Sequence, residues 1–364
     1  MKSFEVIAPG RAEVLGNHTD YNDGLVLSIA INVGTTIRGS EGEGSALKLV
    51  SEGLGDEWTG DLENLTPLKE PGATWPNYVI GVAQALQERN IALKGGELVI
   101  SSNIPIGAGL SSSAALEIAS GLAFQELGDF EIDPIEMAKV GQSAEHNFAG
   151  VKCGLLDQIS VLVGKSRHLT FIDCRSLEIR HIPLPEGWVF VIAHSGVNHA
   201  LTGGEYNERR EACEATAKAL GISSLREITP GELEAKKDQV DALPFKRAMH
   251  PVGETARVAH AVSCLAAGNI EALGKLMFES HESSIEYFEN SCEELDFLVE
   301  AAATHDACIG ARLSGGGFGG ATINLVKEDQ ADQFAEDLQN AYEAKYGRKP
   351  LTLTTPACDG AHTI

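Results

Sequence analysis

Positive charge is scarce in this chain. Its 364 residues hold 28 Lys plus Arg against 52 Asp plus Glu, a formal net charge of −24. Nucleic acids and anionic membranes are recognised through clustered Lys and Arg, so neither is an expected partner. Proline is sparse too, at 13 residues with no Gly-X-Y period, which excludes a fibrous protein. The seven cysteines are Cys153, Cys174, Cys213, Cys264, Cys292, Cys308 and Cys358, odd in number, widely spaced and without a C-x-x-C pair. That pattern predicts a reduced, cytoplasmic protein with no disulfide framework. The opening MKSFEVIAPG has no apolar h-region, so no secretory signal is expected. Long apolar runs are also missing. The longest charge-free stretch, Leu98 to Leu116, contains Pro105, two glycines and five serines, and does not span a membrane.

What is present is a foldable chain, with 43% apolar residues and 39 glycines. At roughly 150 residues per domain, its length predicts two domains. Extended patterns occupy Phe4–Ala8, Leu25–Arg38 and Gly96–Ser102, and helical spacing runs over Trp75–Gln87 and Ala114–Glu126. Asp133-Pro134 reads as an N-cap followed by a first-turn proline, opening a helix towards Phe148. A strand at HLTFIDC closes this half near residue 175, and helices are expected at 201–220, 247–267, 270–280 and 292–303. A strand over Ala321–Val326 and a helix over Gln330–Tyr346 follow. Strands and helices mix without a regular βαβ alternation, so the fold class is α+β, in two domains, 1–175 and 176–364.

Four segments carry candidate chemistry. NIPIGAGLSSSAAL, residues 103–116, lies between a predicted strand and a predicted helix. Glycines let backbone amides approach an anion, and the helix start offers free N–H groups; the alternative is an ordinary turn with a serine cap. No G-x-x-x-x-G-K-[ST] loop occurs. SGGGFGG, residues 314–320, matches G-x-G-x-x-G formally, but the ATINLV after it reads as a strand, so a dinucleotide fold fails its context. PGRAEVLGNHTDYNDG, residues 9–24, concentrates donors and acceptors that suit a polyhydroxylated ligand, or else forms a solvated loop. Asp157 sits among apolar neighbours in CGLLDQ, where a carboxylate either pairs with a cation or titrates high, unless it simply lies on an open helix face.

Together these segments resemble the GHMP kinase superfamily and, within it, the galactokinase family. GRAEVLGNHTDYNDG is similar to that family's N-terminal signature, PIGAGLSSSAALE to its phosphate-binding motif, AEHNFAGVKCGLLDQ to its catalytic-base segment and LSGGGFGGATINLV to its third motif. WPNYVIG, FIDCRSL, HALTGGEYNERR, RAMHPVGE and ENSCEELD extend the likeness along the chain.

The resemblance implies a two-domain GHMP kinase fold with the active site in the cleft between the domains. It implies transfer of the ATP γ-phosphate to the anomeric hydroxyl of α-D-galactose. In that reading Asp157 is the base and Arg11 the neighbouring charge stabiliser. Gly107, Gly109, Leu110, Ser111, Ser112 and Ser113 hold the phosphates. Ser113 and Glu145 place Mg²⁺, and Trp75 and Tyr78 pack near the adenine. His18, Asp20, Gly154 and Tyr206 match sugar-contacting positions, as does Asn17, which stands where the family usually has Glu. Glu13 stands where Asn is usual, and either pairs with Arg11 or faces solvent. The rival readings are another sugar-1-kinase, such as one for N-acetylgalactosamine, and a catalytically silent galactose sensor. Members of the family are often monomeric, which favours a monomer.

Overall fold

The computed structural model of the chain describes residues 2–70, 74–105, 107–150, 153–198 and 204–364. In chain order the first half contains β1 (Ser3–Leu15), β2 (Leu25–Glu41), β3 (Ala46–Ser51), β4 (Asp56–Asp61), α1 (Pro76–Glu88), β5 (Gly96–Ser102), α2 (Ser112–Gly128), α3 (Pro134–Ala144), α4 (Leu156–Val163), β6 (His168–Asp173) and β7 (Glu178–Pro183). Then follow β8 (Trp188–Asn198), α5 (Gly204–Leu220), α6 (Pro230–Ala235), α7 (Ala242–Ala266), α8 (Ile270–Ser283) and α9 (Glu293–Ala303). The chain closes with β9 (Cys308–Ser314), β10 (Gly319–Lys327), α10 (Ala331–Tyr346), β11 (Leu351–Thr355) and β12 (His362–Thr363). The first three residues of the helix expected from 201 lie outside the described residues.

Two sheets organise these elements. The first runs β12-β1-β2-β5-β3-β4, with β6 joining β2 and β7 joining β6; among the described residues only β3 and β5 run parallel. The second is antiparallel, β11-β8-β10-β9. The tail returns to the first sheet, where β12 pairs with β1 and Cys358 bridges to Ala30. One apolar core spans both halves, from Val6, Val14 and Phe124 to Phe190, Leu273 and Ile323.

Local sequence accounts for the elements around the site. Pro76 and Pro134 start α1 and α3 at the position where a missing N–H costs nothing, and Asp133 Oδ1 accepts from the Ile135 and Glu136 amides. The helix predicted to run from 134 towards 148 changes character at Glu145. Residues Glu145–Ala149 form a π-helical turn that ends in Gly150 at φ 79°. Such turns widen a helix by one residue and re-aim the side chains on it. The polar stretch from residue 9 differs from the loop reading. β1 continues to Leu15, and its second half is buried on both faces. Register shifts between Pro9 and Arg11 and between Glu13 and Leu15 bend that strand, so Arg11 and Glu13 are placed by bulged backbone.

Candidate active site

The site is built outward from Asp157 in the first turn of α4. Arg11 grips its carboxylate as a fork, Nε donating to Oδ1 and Nη2 to Oδ2, each at 2.8 Å. The third guanidinium nitrogen donates to the Gly109 carbonyl at 2.7 Å, tying the glycine loop to the same cation. Bidentate charge-assisted geometry of this kind fixes both partners. Ser111 adopts φ 57° at the start of α2, and its side chain caps no helical amide. Its hydroxyl donates instead to Asp157 Oδ2.

A second carboxylate stands beside the loop. Glu145 Oε1 accepts from Ser113 Oγ at 3.1 Å, while Oε2 accepts from Gln158 Nε2 at 3.0 Å and from the Cys153 thiol at 3.0 Å. Burial pushes the Glu145 carboxyl up, and the Asp157 charge adds to the shift. Gln158 also donates to Glu117 at 2.9 Å, a wholly buried acid raised well above its usual range by burial and by Glu145. The hard oxygen donors of Ser113 and Glu145 beside the glycine loop are of the kind that suits a Mg²⁺ ion keeping most of its ligands as water.

The opposite wall comes from the turn after β1. His18, at φ 57°, shares a hydrogen bond with Tyr21 Oη at 2.9 Å and donates from Nε2 to the Gly316 carbonyl at 3.2 Å. Its ring packs against Tyr206 and Phe288, with centroids 5.0 and 4.6 Å away. Burial lowers its pKa to about 4, so the imidazole is neutral. Asp20 is raised to about 6, first by burial and then by the charges of Asp157 and Glu13. A Cβ at Gly154 would fall 2.1 Å from Asp20 Oδ2, so the glycine lets that carboxylate lie directly against the backbone. Gly317, at φ 83°, is required, because a Cβ would meet the Asn290 carbonyl at 2.1 Å.

One cavity of about 730 Å³ brings together Arg11, Asn17, His18, Asp20, Glu145, Gly154, Asp157 and Tyr206. A side cavity of about 260 Å³ adjoins it at Asp20, Cys153 and Gly154. Gly109, Ser111 and Ser113 connect to the main cavity through their bonds to Arg11, Asp157 and Glu145. Gly107, Leu110, Ser112, Trp75 and Tyr78 do not line it. The Leu110 carbonyl receives the Arg11 amide at 3.2 Å, the Gly107 carbonyl pairs with His194 at 3.2 Å, and Ser112 is exposed. Trp75 donates to Asp56 at 3.0 Å. Tyr78 is raised by burial and by the nearby Glu145 charge.

Glu13 corrects the sequence reading. It neither pairs with Arg11 nor faces solvent. It is buried, with Oε1 accepting from Arg312 Nη1 at 2.9 Å and from Asn17 Nδ2 at 3.1 Å. The bulge that aims Arg11 towards α4 leaves Glu13 facing β9 instead. Glu254 of α7 was also not legible as a site residue. Its Oε2 accepts the Gly16 and Asn17 amides at 3.0 and 2.9 Å, anchoring the turn that carries His18. Burial alone would raise Glu254, but Arg257, bonded at 2.6 Å, holds it well below the usual carboxylate range. The segments RAMHPVGE and ENSCEELD contain Glu254 and Asn290, so a signal existed, without a role attached.

Known proteins are similar to this chain along almost its whole length. A galactokinase of Actinobacillus pleuropneumoniae serotype 3 is 40% identical over 364 residues, covering 99% of this chain and 94% of that protein. The chain belongs to the galactokinase family of GHMP kinases. It is accordingly an ATP-dependent sugar kinase. The galactokinase galactose-binding signature matches residues 2–41, the GHMP kinase N-terminal domain 77–165 and the C-terminal domain 261–344. The galactokinase of Chloroflexus aurantiacus is 40% identical over 359 residues, with 96% and 91% coverage. Among solved structures, Lactococcus lactis galactokinase complexed with galactose superimposes with a TM-score of 0.94 at 33% identity, covering 99% of this chain and 95% of that one. A mevalonate kinase, 22% identical with a TM-score of 0.70, shares the fold. The two-domain α+β expectation therefore holds. Among the described residues no helix is long and apolar enough to cross a membrane.

Proposed function

We propose that this kinase transfers the γ-phosphoryl group of ATP to the anomeric hydroxyl of α-D-galactose, giving galactose 1-phosphate and ADP. The observation that carries the reading is the Arg11–Asp157 fork, set in one cavity with His18, Asp20, Gly154 and Tyr206. Asp157 accepts the hydroxyl proton as the sugar oxygen bonds to the γ-phosphorus and the bond to the ADP oxygen breaks. General base help of this type contributes roughly 10² to 10⁴-fold. Arg11 offsets negative charge at the reacting end, and the fork keeps the carboxylate in place before substrate arrives. Asp20, His18, the Gly154 backbone and Tyr206 hold the sugar. Gly107 to Ser113 hold the phosphates, with Trp75 and Tyr78 on the adenine side.

Ser113 and Glu145 are the residues that would hold Mg²⁺, which when bound neutralises phosphate charge and orients the nucleotide. We move the division between the halves from residue 175 to the turn from β7 to β8, because β7 still pairs with β6 in the first sheet and β8 opens the second, while the tail rejoins the first sheet through β12. The odd number and wide spacing of the seven cysteines support a reduced, cytoplasmic setting.

The test is ADP release from Mg·ATP with galactose, N-acetylgalactosamine, glucose, talose and 2-deoxygalactose. N-acetylgalactosamine belongs in the panel because the side cavity adjoins Asp20 and Gly154. Galactose should give the highest kcat/KM. A clear preference for the N-acetylated sugar would move the assignment to a neighbouring sugar-1-kinase. No sugar-dependent ADP release would favour a silent sensor.

A further inference from the structure

Arg312 is wholly buried, and two of its guanidinium nitrogens, Nε and Nη2, have no partner among the described residues. The third, Nη1, donates to Glu13 at 2.9 Å. A charge this deep is tolerable only beside its counter-ion, so Glu13 is held where Arg312 needs it. The same Glu13 oxygen accepts one hydrogen of the Asn17 amide at 3.1 Å. The other hydrogen goes to the Gly315 carbonyl at 2.7 Å.

Asn17 Oδ1 accepts from Asn290 Nδ2 at 3.1 Å and pairs with His250 Nε2 at 3.4 Å. Two donors and two acceptor positions exhaust a primary amide. Asn17, only 1% exposed, therefore has no bond left to offer a ligand, although it lies at the cavity wall. What it does hold is the glycine loop. Asn290 also donates to the Gly316 carbonyl at 3.2 Å, and that same carbonyl receives His18. An unbroken path runs from Arg312 through Glu13, Asn17 and Asn290 to the carbonyl that orients His18. It crosses from β1 to β9 and so couples the two halves at the sugar end of the cavity.

We propose that Glu13 is a positioning residue for sugar binding: neutralised by Arg312, it fixes the Asn17 amide in the orientation that holds Gly315, Gly316 and hence His18. The two positions work as one unit, a carboxylate at 13 and an amide at 17. Asn17 thereby acts on the sugar through the loop, and not by contact. The inference rests on the kinase reading above.

The test is galactose affinity by calorimetry in the full chain, with the melting temperature and the KM for Mg·ATP measured alongside. Glu13→Gln keeps the shape and removes the counter-ion. Glu13→Asp keeps the charge beside Arg312 and shortens the reach to Asn17, so it serves if the first variant does not fold. Either folded variant should raise the galactose Kd by about 10-fold or more, with the KM for Mg·ATP within about 2-fold and kcat less affected than sugar KM. An unchanged galactose Kd in a folded variant overturns the proposal, whatever happens to the melting temperature. Equal weakening of sugar and nucleotide also overturns it, since that signals general loosening. If the unsubstituted chain binds no galactose, the failure lies with the functional reading itself.

Discussion

Asp157 is served by three donor atoms from two side chains, Arg11 and Ser111, which leaves it oriented before any ligand arrives. Asp157→Asn keeps the size and most of the packing but removes the proposed base. Turnover should fall by at least about 10²-fold while galactose and nucleotide still bind; single-turnover ADP release measured against binding separates the two. Asp20 gives a pH-dependent counterpart. Its folded carboxyl titrates near 6 against an ordinary 3.8, so the folded state holds more protons than the unfolded state between those values. The contribution to stability is full below about 3.8 and is lost as pH rises through 6. Asp20→Asn removes that loss. The variant should melt above the unsubstituted chain at pH 7.5, with the gain shrinking towards pH 4.5, while galactose binding falls. His18, lowered to about 4, contributes an opposite slope across the same window, so only the difference between the two proteins isolates Asp20. A gain that grew on acidification would contradict the assignment.

At the scale of elements, periodicity was informative where one face is buried and silent where both are. β5 lies where its pattern predicts, and α1, α9 and α10 each begin one residue later. The second half of β1 was unreadable as a strand because Arg11 and Glu13 interrupt its apolar character, and both are buried through partners more than a hundred residues away. Likewise β8 and β9 lacked a visible period, since the second sheet is covered from both sides, with Ala193, Ala311, Leu313 and Phe190 all buried. The start of α3 was legible because its cap is local chemistry. Asp133→Ala should cost about 1 kcal/mol, lowering the melting temperature by about 2 °C, and should leave kcat/KM unchanged. A thermal scan beside an activity assay checks both parts, and a loss of activity at equal stability would show that α3 positions Glu145 more tightly than supposed.

For the molecule as a whole, the excess of 24 negative charges is carried mostly by the exterior. Most ion pairs are exposed, such as Arg38–Glu52 and Lys48–Glu97, and contribute little. Self-repulsion therefore outweighs pairing at low ionic strength. Raising NaCl from about 20 mM to about 0.5 M, which shortens the Debye length severalfold, should raise the melting temperature by a few degrees. A fall would mean that the exposed pairs, and not the repulsion, dominate.

The sequence by itself determined the fold class, the kinase family and the two carboxylate segments, because motif order and glycine placement are local features that survive without coordinates. Only the tertiary structure decided which partner each polar side chain around His18 bonds to. Whether Glu13 met Arg11, solvent or Arg312 depended on a strand bulge and on a residue 299 positions away. A hydrogen bond at that separation leaves no period and no spacing in the chain. The same shortage of cations that excluded polyanion partners takes on a different meaning inside the molecule. Arg11, Arg312 and Arg257 are each committed to one buried or half-buried carboxylate.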